Sequence, residues 1–152
     1  MTEETDKTEE YWDNRTIEYK DDLDKMVWCS KMIHKHYRWF ERLMDIYKDQ
    51  TILDVGCGYG RIAPIFEKEK YHGIDFSQNL IDLARQKNPE YLFEKADAYE
   101  YNPTKSYGVV LAFHLSNLPM REKDFIQRYH MFAREAIIIV YADRITVINP
   151  KL

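Results

Sequence analysis

The sequence predicts an α/β fold built on a doubly wound, mostly parallel sheet. After residue 50, short apolar runs of the kind that form buried strands alternate about five times with segments that favour helices. The first run, TILDVGCGYG at residues 51–60, stops abruptly at three spaced glycines, as a strand does before a tight turn. With 152 residues, the chain has the length of one compact domain.

The N-terminal part is predicted to form a tail and a helical cap at residues 1–48, joined in one compact unit to the sheet domain at 49–152. Residues 1–8 are polar and acidic, and we expect no fixed structure there. Apolar residues recur at three- and four-residue intervals over 22–47, which predicts an amphipathic helix with a break near Ser30. A shorter helix is expected over 9–19.

The sheet domain has clear boundaries for several elements. Ser77 is a good helix cap, and Pro89 ends the helix that Ser77 begins. The continuous apolar run YGVVLAF is typical of a strand that is buried on both faces. The predicted elements are a strand at 51–55, a short helix through 66, a strand at 71–75, a helix at 78–87, strands at 91–94 and 107–113, a helix at 119–134, and strands at 136–142 and 144–149.

Composition excludes several classes of function. The chain has 26 acidic and 22 basic residues, so nucleic acid is an unfavourable partner. It has no apolar run long enough to span a membrane, and its N-terminus lacks the apolar core of a secretion signal. Cys29 and Cys57 do not make a disulfide framework or a metal site, and His34 and His36 are two apart on a helix. We expect a cytoplasmic protein without a metal.

The spacing of the glycines distinguishes between ligands. A dinucleotide fingerprint has its third glycine three residues after the second, where this chain has Arg61. Here Gly56, Gly58 and Gly60 alternate with other residues, and Asp54 lies two residues before the first. This D-x-G-x-G-x-G pattern resembles motif I of the class I S-adenosylmethionine-dependent methyltransferases. The resemblance covers roughly residues 50–142 and implies their Rossmann-like fold.

The resemblance also implies a cofactor site at these glycines. Gly56 and Gly58 would let the backbone approach the methionine end of the cofactor, and Asp54 would hold the loop and bind the ammonium through water. Asp75, about 20 residues after the loop in HGIDFS, matches the acid that grips both ribose hydroxyls. Asp97 in KADAY matches the acid that accepts the adenine amino group. The expected cofactor-binding residues are Asp54, Gly56, Cys57, Gly58, Gly60, Asp75, Phe76, Asp97, Ala98, Phe113, Trp12 and Arg15.

Smaller contributions are implied for some of these residues. Phe76 would pack on the adenine ring, and Ala98 would offer its backbone amide to that ring. Tyr11, Trp12 and Arg15 resemble the YWxxR-like start of some small-molecule methyltransferases, in which the first helix folds over the cofactor. Arg15 could pair with the cofactor's carboxylate, and a solvated arginine on the helix surface is the alternative.

The catalytic step is marked by one histidine. The segment FHLSNLP places His114 after the fourth strand, at the edge where open α/β sheets bind ligands. An imidazole can accept a proton near neutral pH, so His114 is the candidate base; the alternative is a histidine that flanks the methionine moiety or packs the edge. Asn117 begins a weak likeness to the N-P-P-Y signature of amino-methylating DNA enzymes, which Leu118 and Met120 break.

These observations predict an S-adenosylmethionine-dependent methyltransferase that acts on a small molecule or a protein side chain. The alternative is a catalytically idle cofactor-binding subunit or regulatory partner of another enzyme. A typical family member continues after strand five with another helix and an antiparallel strand pair, and this sequence has about ten residues there, so we expect a sheet truncated after strand five or six. Since an uncovered sheet edge invites pairing, a homodimer or cover by the N-terminal helix is expected.

Overall fold

The structure is a computed structural model that describes residues 8–22, 30–113, 120–141 and 144–152, and only the backbone of 30–37. Its helices and strands are α1 Glu9–Glu18, α2 Ser30–Ile46, β1 Ile52–Val55, β2 Tyr71–Asp75, α3 Gln78–Lys87, β3 Leu92–Lys95, β4 Tyr107–Phe113, α4 Glu122–Tyr129, β5 Ala133–Val140 and β6 Ile145–Ile148. Within these residues, no helix is long and apolar enough to cross a membrane.

The strands form one sheet in the order β3-β2-β1-β4-β5-β6. The first five strands in the chain run parallel, and β6 runs antiparallel to β5. The prediction of a doubly wound, mostly parallel sheet is therefore confirmed. The sixth strand follows the fifth after a short connection, as its sequence predicted.

Both faces of the sheet are covered, which explains why β1, β2 and nearly all of β4 are buried on both sides. On one face, Phe40 and Met44 of α2 pack with Ile81 and Ala84 of α3. On the other face, side chains of α4 and of the segments beside it cover the sheet; fully buried among them are Phe125 and Tyr129. Apolar burial on both faces is the main stabilising contribution to such a fold.

The prediction of a short helix after the glycines is wrong. Two three-residue 3-10 turns, Ala63–Ile65 and Lys68–Lys70, connect β1 to β2 instead. Pro64 has no N–H, and Phe66 already has extended backbone dihedrals. The chain therefore has too few helical residues in succession to propagate an α-helix.

Several other boundaries differ from the prediction. The helix expected to reach Arg134 ends at Tyr129, a 3-10 turn follows, and β5 begins at Ala133, where it pairs with Tyr107. The apolar residues near 132 fit both patterns, and pairing with β4 decides between them. Strand β3 begins one residue later than expected, at Leu92, and β5 ends at Val140. Residues 1–7 of the predicted tail, and residues 23–29 before the predicted helix break near Ser30, lie outside the described residues.

Candidate functional site

The candidate site lies at the carboxyl edge of the sheet, beside β1. The chain continues from β1 to β2 on one side, and β4 is the neighbour of β1 on the other. This reversal of strand order is a switch point, where open α/β sheets bind ligands. The glycine turn at residues 56–60 follows β1 at that edge.

All three glycines of the turn have positive φ, at 75° for Gly56, 56° for Gly58 and 74° for Gly60. The amides of Gly56 and Cys57 both donate to the Ile74 carbonyl oxygen, at 2.8 and 2.9 Å, which ties the turn to β2. The Gly56 amide is thus used by the fold itself. Only residues without a Cβ adopt this sequence of dihedrals at low cost.

Gly58 and Gly60 differ in their surroundings. A Cβ built on Gly60 would lie 2.6 Å from Cζ of Phe93, so packing requires glycine there. A Cβ built on Gly58 would meet no atom within 4 Å. The backbone at Gly58 therefore faces open space in which a ligand can approach it closely.

Asp75 ends β2 and is held rigidly. Its Oδ2 accepts the amide of Gly58 at 2.9 Å, and its Oδ1 accepts the amide of Ser77 at 3.0 Å. Burial raises the pKa of Asp75 to about 6, although these amides oppose the shift. A carboxylate has about four lone-pair sites, so Asp75 keeps capacity to accept hydroxyl donors.

Asp54, in β1, is fully buried. Its Oδ2 accepts the hydroxyl of Tyr71 at 2.6 Å, whereas no hydrogen-bond partner of Oδ1 is present among the described residues. Burial raises the pKa of Asp54 to about 7, and the Tyr71 hydrogen bond opposes that rise. An unpaired buried carboxylate oxygen is costly, and a bound cation or a water it holds would satisfy it. The free carboxylate oxygen of Asp54 is thus a suitable acceptor for an ammonium group.

Cys57 is buried inside the turn. A Cβ built on Gly73 would lie 2.9 Å from the Cys57 sulfur, so strand β2 and the turn are in close contact here. Its thiol donates to the Gly58 carbonyl oxygen at 3.6 Å, and burial raises its pKa. These contacts fit a small packing residue within the turn.

Helix α1 covers the corner formed by the turn and β2. Trp12 is only 6% exposed and packs on Leu80, with Tyr59 of the turn and Phe76 packed against the same cluster. Arg15 lies over the rings of the two tyrosines one turn away on either side, 4.8 Å from the centroid of Tyr19. Trp12 and Phe76 are thus brought to the site together, with Arg15 close by on the same helix.

The loop after β3 carries Asp97 and Ala98. The amide of Tyr99 donates to Asp97 Oδ1 at 2.8 Å, and the Asp97 side chain is exposed. The Ala98 carbonyl oxygen accepts Nε of Arg128 at 2.9 Å and the hydroxyl of Tyr129 at 2.7 Å. The loop is therefore fixed to α4, on the side of the sheet edge next to β2.

Phe113 is the last residue of β4 and lies at the same edge. Its ring packs edge-on against Phe40 with centroids 5.0 Å apart, and the guanidinium carbon of Arg61 lies 5.8 Å from its centroid. His114, the candidate base, lies outside the described residues. Within the described residues, no three His, Cys, Asp or Glu side chains converge as metal ligands would.

Sequence reasoning missed three residues of this region. Tyr71 hydrogen-bonds Asp54, and Asp13 of α1 accepts the hydroxyl of Ser77. Ser77 was predicted only as a helix cap, a role it has through Leu80 N at 3.2 Å. Its position two residues after Asp75 was a usable signal, because an aspartate often accepts the amide two residues on. Nothing in the sequence pairs Asp13 with Ser77, which lies 64 residues away.

Comparisons with known proteins agree with this geometry. The methyltransferase domain family matches residues 52–135, which is more than half of the chain. The ubiquinone/menaquinone biosynthesis C-methyltransferase UbiE of Campylobacter jejuni is 25% identical over 114 residues, which cover 66% of this chain and 48% of UbiE. The chain thus spans about half the length of that relative.

Two solved structures have similar folds. Magnesium protoporphyrin IX methyltransferase (ChlM) from Synechocystis PCC 6803, solved with bound SAM, has a TM-score of 0.65 at 17% identity, over 86% of this chain and 72% of ChlM. A TehB-like SAM-dependent methyltransferase from Corynebacterium glutamicum has a TM-score of 0.54 at 21% identity, over 71% of each chain.

The order of the strands, the glycine turn and the acid at the end of β2 define a Rossmann-like methyltransferase fold. The match over residues 52–135 places the chain in the methyltransferase domain family. The family predicted from the glycine spacing and its downstream acids is therefore confirmed.

Proposed function

We propose that this chain binds S-adenosylmethionine at the carboxyl edge of β1 and β2 and transfers its methyl group to a small molecule or a protein side chain. The observation that carries the proposal is the Asp75 carboxylate, which is fixed by the Gly58 and Ser77 amides beside the open space over Gly58. UbiE and ChlM, by their names, methylate small molecules, which favours a small-molecule acceptor here.

Different residues would bind different parts of the cofactor. Asp75 would accept the ribose hydroxyls through the acceptor capacity that its amide partners leave, and Asp54, which is fully buried, would bind the ammonium through water. Gly58 would lie against the methionine part of the cofactor. Phe76, with Asp97 and Ala98 beyond it, would hold the adenine.

Methyl transfer needs positioning more than acid or base chemistry. When bound, S-adenosylmethionine supplies an electrophilic methyl group. The chain's contribution is then to hold an acceptor atom in line with that group, which can supply much of the acceleration. Phe113 and Arg61 form the wall at the end of β4, on the side of the turn away from Asp75. His114 follows Phe113 and is our proposed base where the acceptor must lose a proton.

Calorimetry with S-adenosylhomocysteine tests the cofactor assignment. Replacing Asp75 with Ala removes both the proposed ribose acceptors and the restraint on Gly58, so we expect the affinity to fall at least about 100-fold, or 2.7 kcal/mol. Asp82→Ala, on the exposed side of α3, makes the same chemical change and should leave the affinity unchanged. Equal affinities of the wild type and Asp75→Ala would overturn the assignment.

Activity needs a separate assay. Incubation with methyl-labelled S-adenosylmethionine and fractionated cell extract should transfer label to a low-molecular-weight fraction. Cofactor binding without transfer to any fraction would instead favour the catalytically idle subunit.

The partner and compartment follow from other features. Strand β6 is an edge strand within the described sheet, and Val147 on it is 45% exposed, so we propose that two copies of the chain pair there. Sedimentation at high concentration should show a dimer, and a strictly monomeric profile would contradict it.

The buried free thiol of Cys57 favours a reducing compartment, and we assign the chain to the cytoplasm.

A further inference from the structure

Helix α1 is joined to the glycine turn by a continuous series of polar contacts. Asp13 Oδ1 accepts the hydroxyl of Ser77 and, at 3.4 Å, the amide of Asn79. The side-chain amide of Asn79 donates back to the Asp13 carbonyl oxygen at 3.3 Å. Asp13 therefore attaches α1 to the first turn of α3, at the point where α3 leaves β2.

The same serine contacts the candidate ribose acid. Ser77 is fully buried, and its amide donates to Asp75 Oδ1 at 3.0 Å. The other oxygen of Asp75 holds the Gly58 amide at 2.9 Å. Each member of the series Asp13, Ser77, Asp75 and Gly58 thus hydrogen-bonds the next. Because Ser77 is fully buried and its amide is bonded to Asp75, we expect a shift of Ser77 to move Asp75 as well.

Apolar packing runs beside these hydrogen bonds. Trp12, the neighbour of Asp13, is buried on Leu80, and Tyr59 and Phe76 pack against that pair. Tyr59 lies between Gly58 and Gly60, and Phe76 follows Asp75 directly. Docking of α1 therefore restrains the turn and the β2 end through both apolar and polar contacts.

We propose that Asp13 is a positioning residue of the cofactor site, which holds α1 on Ser77 and thereby fixes Asp75 and Gly58, so that docking of α1 and cofactor binding stabilise each other. The inference rests on the proposed function, because its ligand is S-adenosylmethionine or the demethylated product. Coupling between two such events is reciprocal: whatever factor α1 docking adds to cofactor affinity, the cofactor adds to α1 docking.

The first test is the affinity of the full chain for S-adenosylhomocysteine. Asp13→Ala should bind about tenfold more weakly than the wild type, which lies in the usual range of coupling between sites. Asp13→Asn keeps an oxygen that accepts the Ser77 hydroxyl, so near pH 8 its affinity should stay within about threefold of the wild type. Asp21→Ala, an exposed aspartate after α1, is the matched control and should bind as the wild type does.

A second readout separates positioning from mere folding. Asp75 is faced by Asp13 from α1 and by Asp54 and Cys57 from β1 and the turn, and the Asp13 charge helps to keep the pKa of Asp75 raised. Asp13→Asn removes that charge alone. If binding needs ionised Asp75, the acid limb of the affinity profile should therefore move to lower pH in Asp13→Asn. An unshifted limb would contradict the influence of the Asp13 charge on Asp75.

Hydrogen exchange tests the reciprocal effect. Saturating S-adenosylhomocysteine should slow exchange of the α1 amides at least about fivefold in the wild type and less in Asp13→Ala. The amides of β6, which lies three strands from β1 in the sheet, serve as the internal control. Wild-type affinity in Asp13→Ala, or α1 exchange that the ligand does not change, would overturn the proposal. If the wild type itself does not bind the ligand, the proposed function fails instead, so the two failures are distinguishable.

Discussion

Two glycines of the same turn should respond in opposite ways to the same added methyl group. Both have positive φ, so alanine at either position costs about 1–2 kcal/mol of backbone strain. At Gly60 the new Cβ would also lie 2.6 Å from Phe93 Cζ and 3.1 Å from Asn88 Nδ2. Phe93 is 3% exposed and packs against Tyr71, so its ring cannot move freely.

The magnitudes follow from these contacts. Overpacking adds about 1–3 kcal/mol at Gly60, which makes the total about 2–5 kcal/mol for Gly60→Ala. For a domain of this size, 1 kcal/mol corresponds to about 2–4 °C in Tm. Gly60→Ala should therefore lower Tm by about 10 °C, and Gly58→Ala by only a few degrees. A double variant with Phe93→Leu should recover part of the Gly60→Ala loss, because the shorter side chain leaves room for the methyl.

Binding should show the opposite order. The methyl of Gly58→Ala would occupy the open space in which we place the cofactor, so affinity for S-adenosylhomocysteine should fall more than about tenfold, or 1.4 kcal/mol. Gly60→Ala should bind with a smaller loss at temperatures where it is folded. Thermal unfolding and calorimetry on both variants give the two orders. The reasoning fails if Gly58→Ala binds as the wild type, or if both variants lose the same Tm.

Three other substitutions test the buried groups. The folded-state pKa of Asp54 is raised to about 7 from 3.8, so the stability that its proton contributes is lost as pH rises through that window. In denaturant titrations at several pH values, the free energy of unfolding of Asp54→Asn should therefore depend less on pH than that of the wild type. At pH 8, this variant should be a few kcal/mol more stable than the ligand-free wild type. A wild type whose stability does not fall between pH 4 and 7 relative to Asp54→Asn would contradict this. Tyr71→Phe leaves both oxygens of Asp54 unpaired and should cost about 1–3 kcal/mol, mostly above pH 7; an equal loss at pH 5 would argue against the hydrogen bond. Phe125→Ala opens a cavity under α4 and should lower the free energy of unfolding by about 3–5 kcal/mol. The ligand affinity of the folded protein should not change. A parallel loss of affinity would show that stability alone controls binding.

The parts of the fold that sequence could predict are those with one strong local signal. Strand β2 has its predicted bounds, Tyr71–Asp75, because an apolar run ends at an acid and a capping serine. Strand β4 also has its predicted bounds, Tyr107–Phe113, since a continuous apolar run fits a strand covered on both faces.

Boundaries set by distant pairing could not be predicted in this way. The start of β5 at Ala133 depends on pairing with Tyr107, which lies 26 residues earlier in the chain. The apolar spacing around it is equally consistent with a longer helix. The connection after Gly60 was predicted as a helix because Ile62 and Ile65 have helical spacing, and Pro64 between them was the contrary signal.

In the candidate site, too, local features could be predicted and long-range contacts could not. Asp75 and the glycines could be predicted, because the turn requires glycine and the acid follows at the end of a recognisable strand. The Asp13 contact could not, because it depends on the tertiary packing of Trp12 on Leu80 that brings α1 against α3. Long-range polar contacts of this kind leave no periodic pattern in a single sequence.

The most direct test of the central claim is a crystal structure of the full chain with S-adenosylhomocysteine. We expect the ribose hydroxyls within hydrogen-bonding distance of Asp75 and the amino-acid part of the ligand against Gly58, with its ammonium towards Asp54. A ligand bound elsewhere, or bound here with no contact to Asp75, would contradict it.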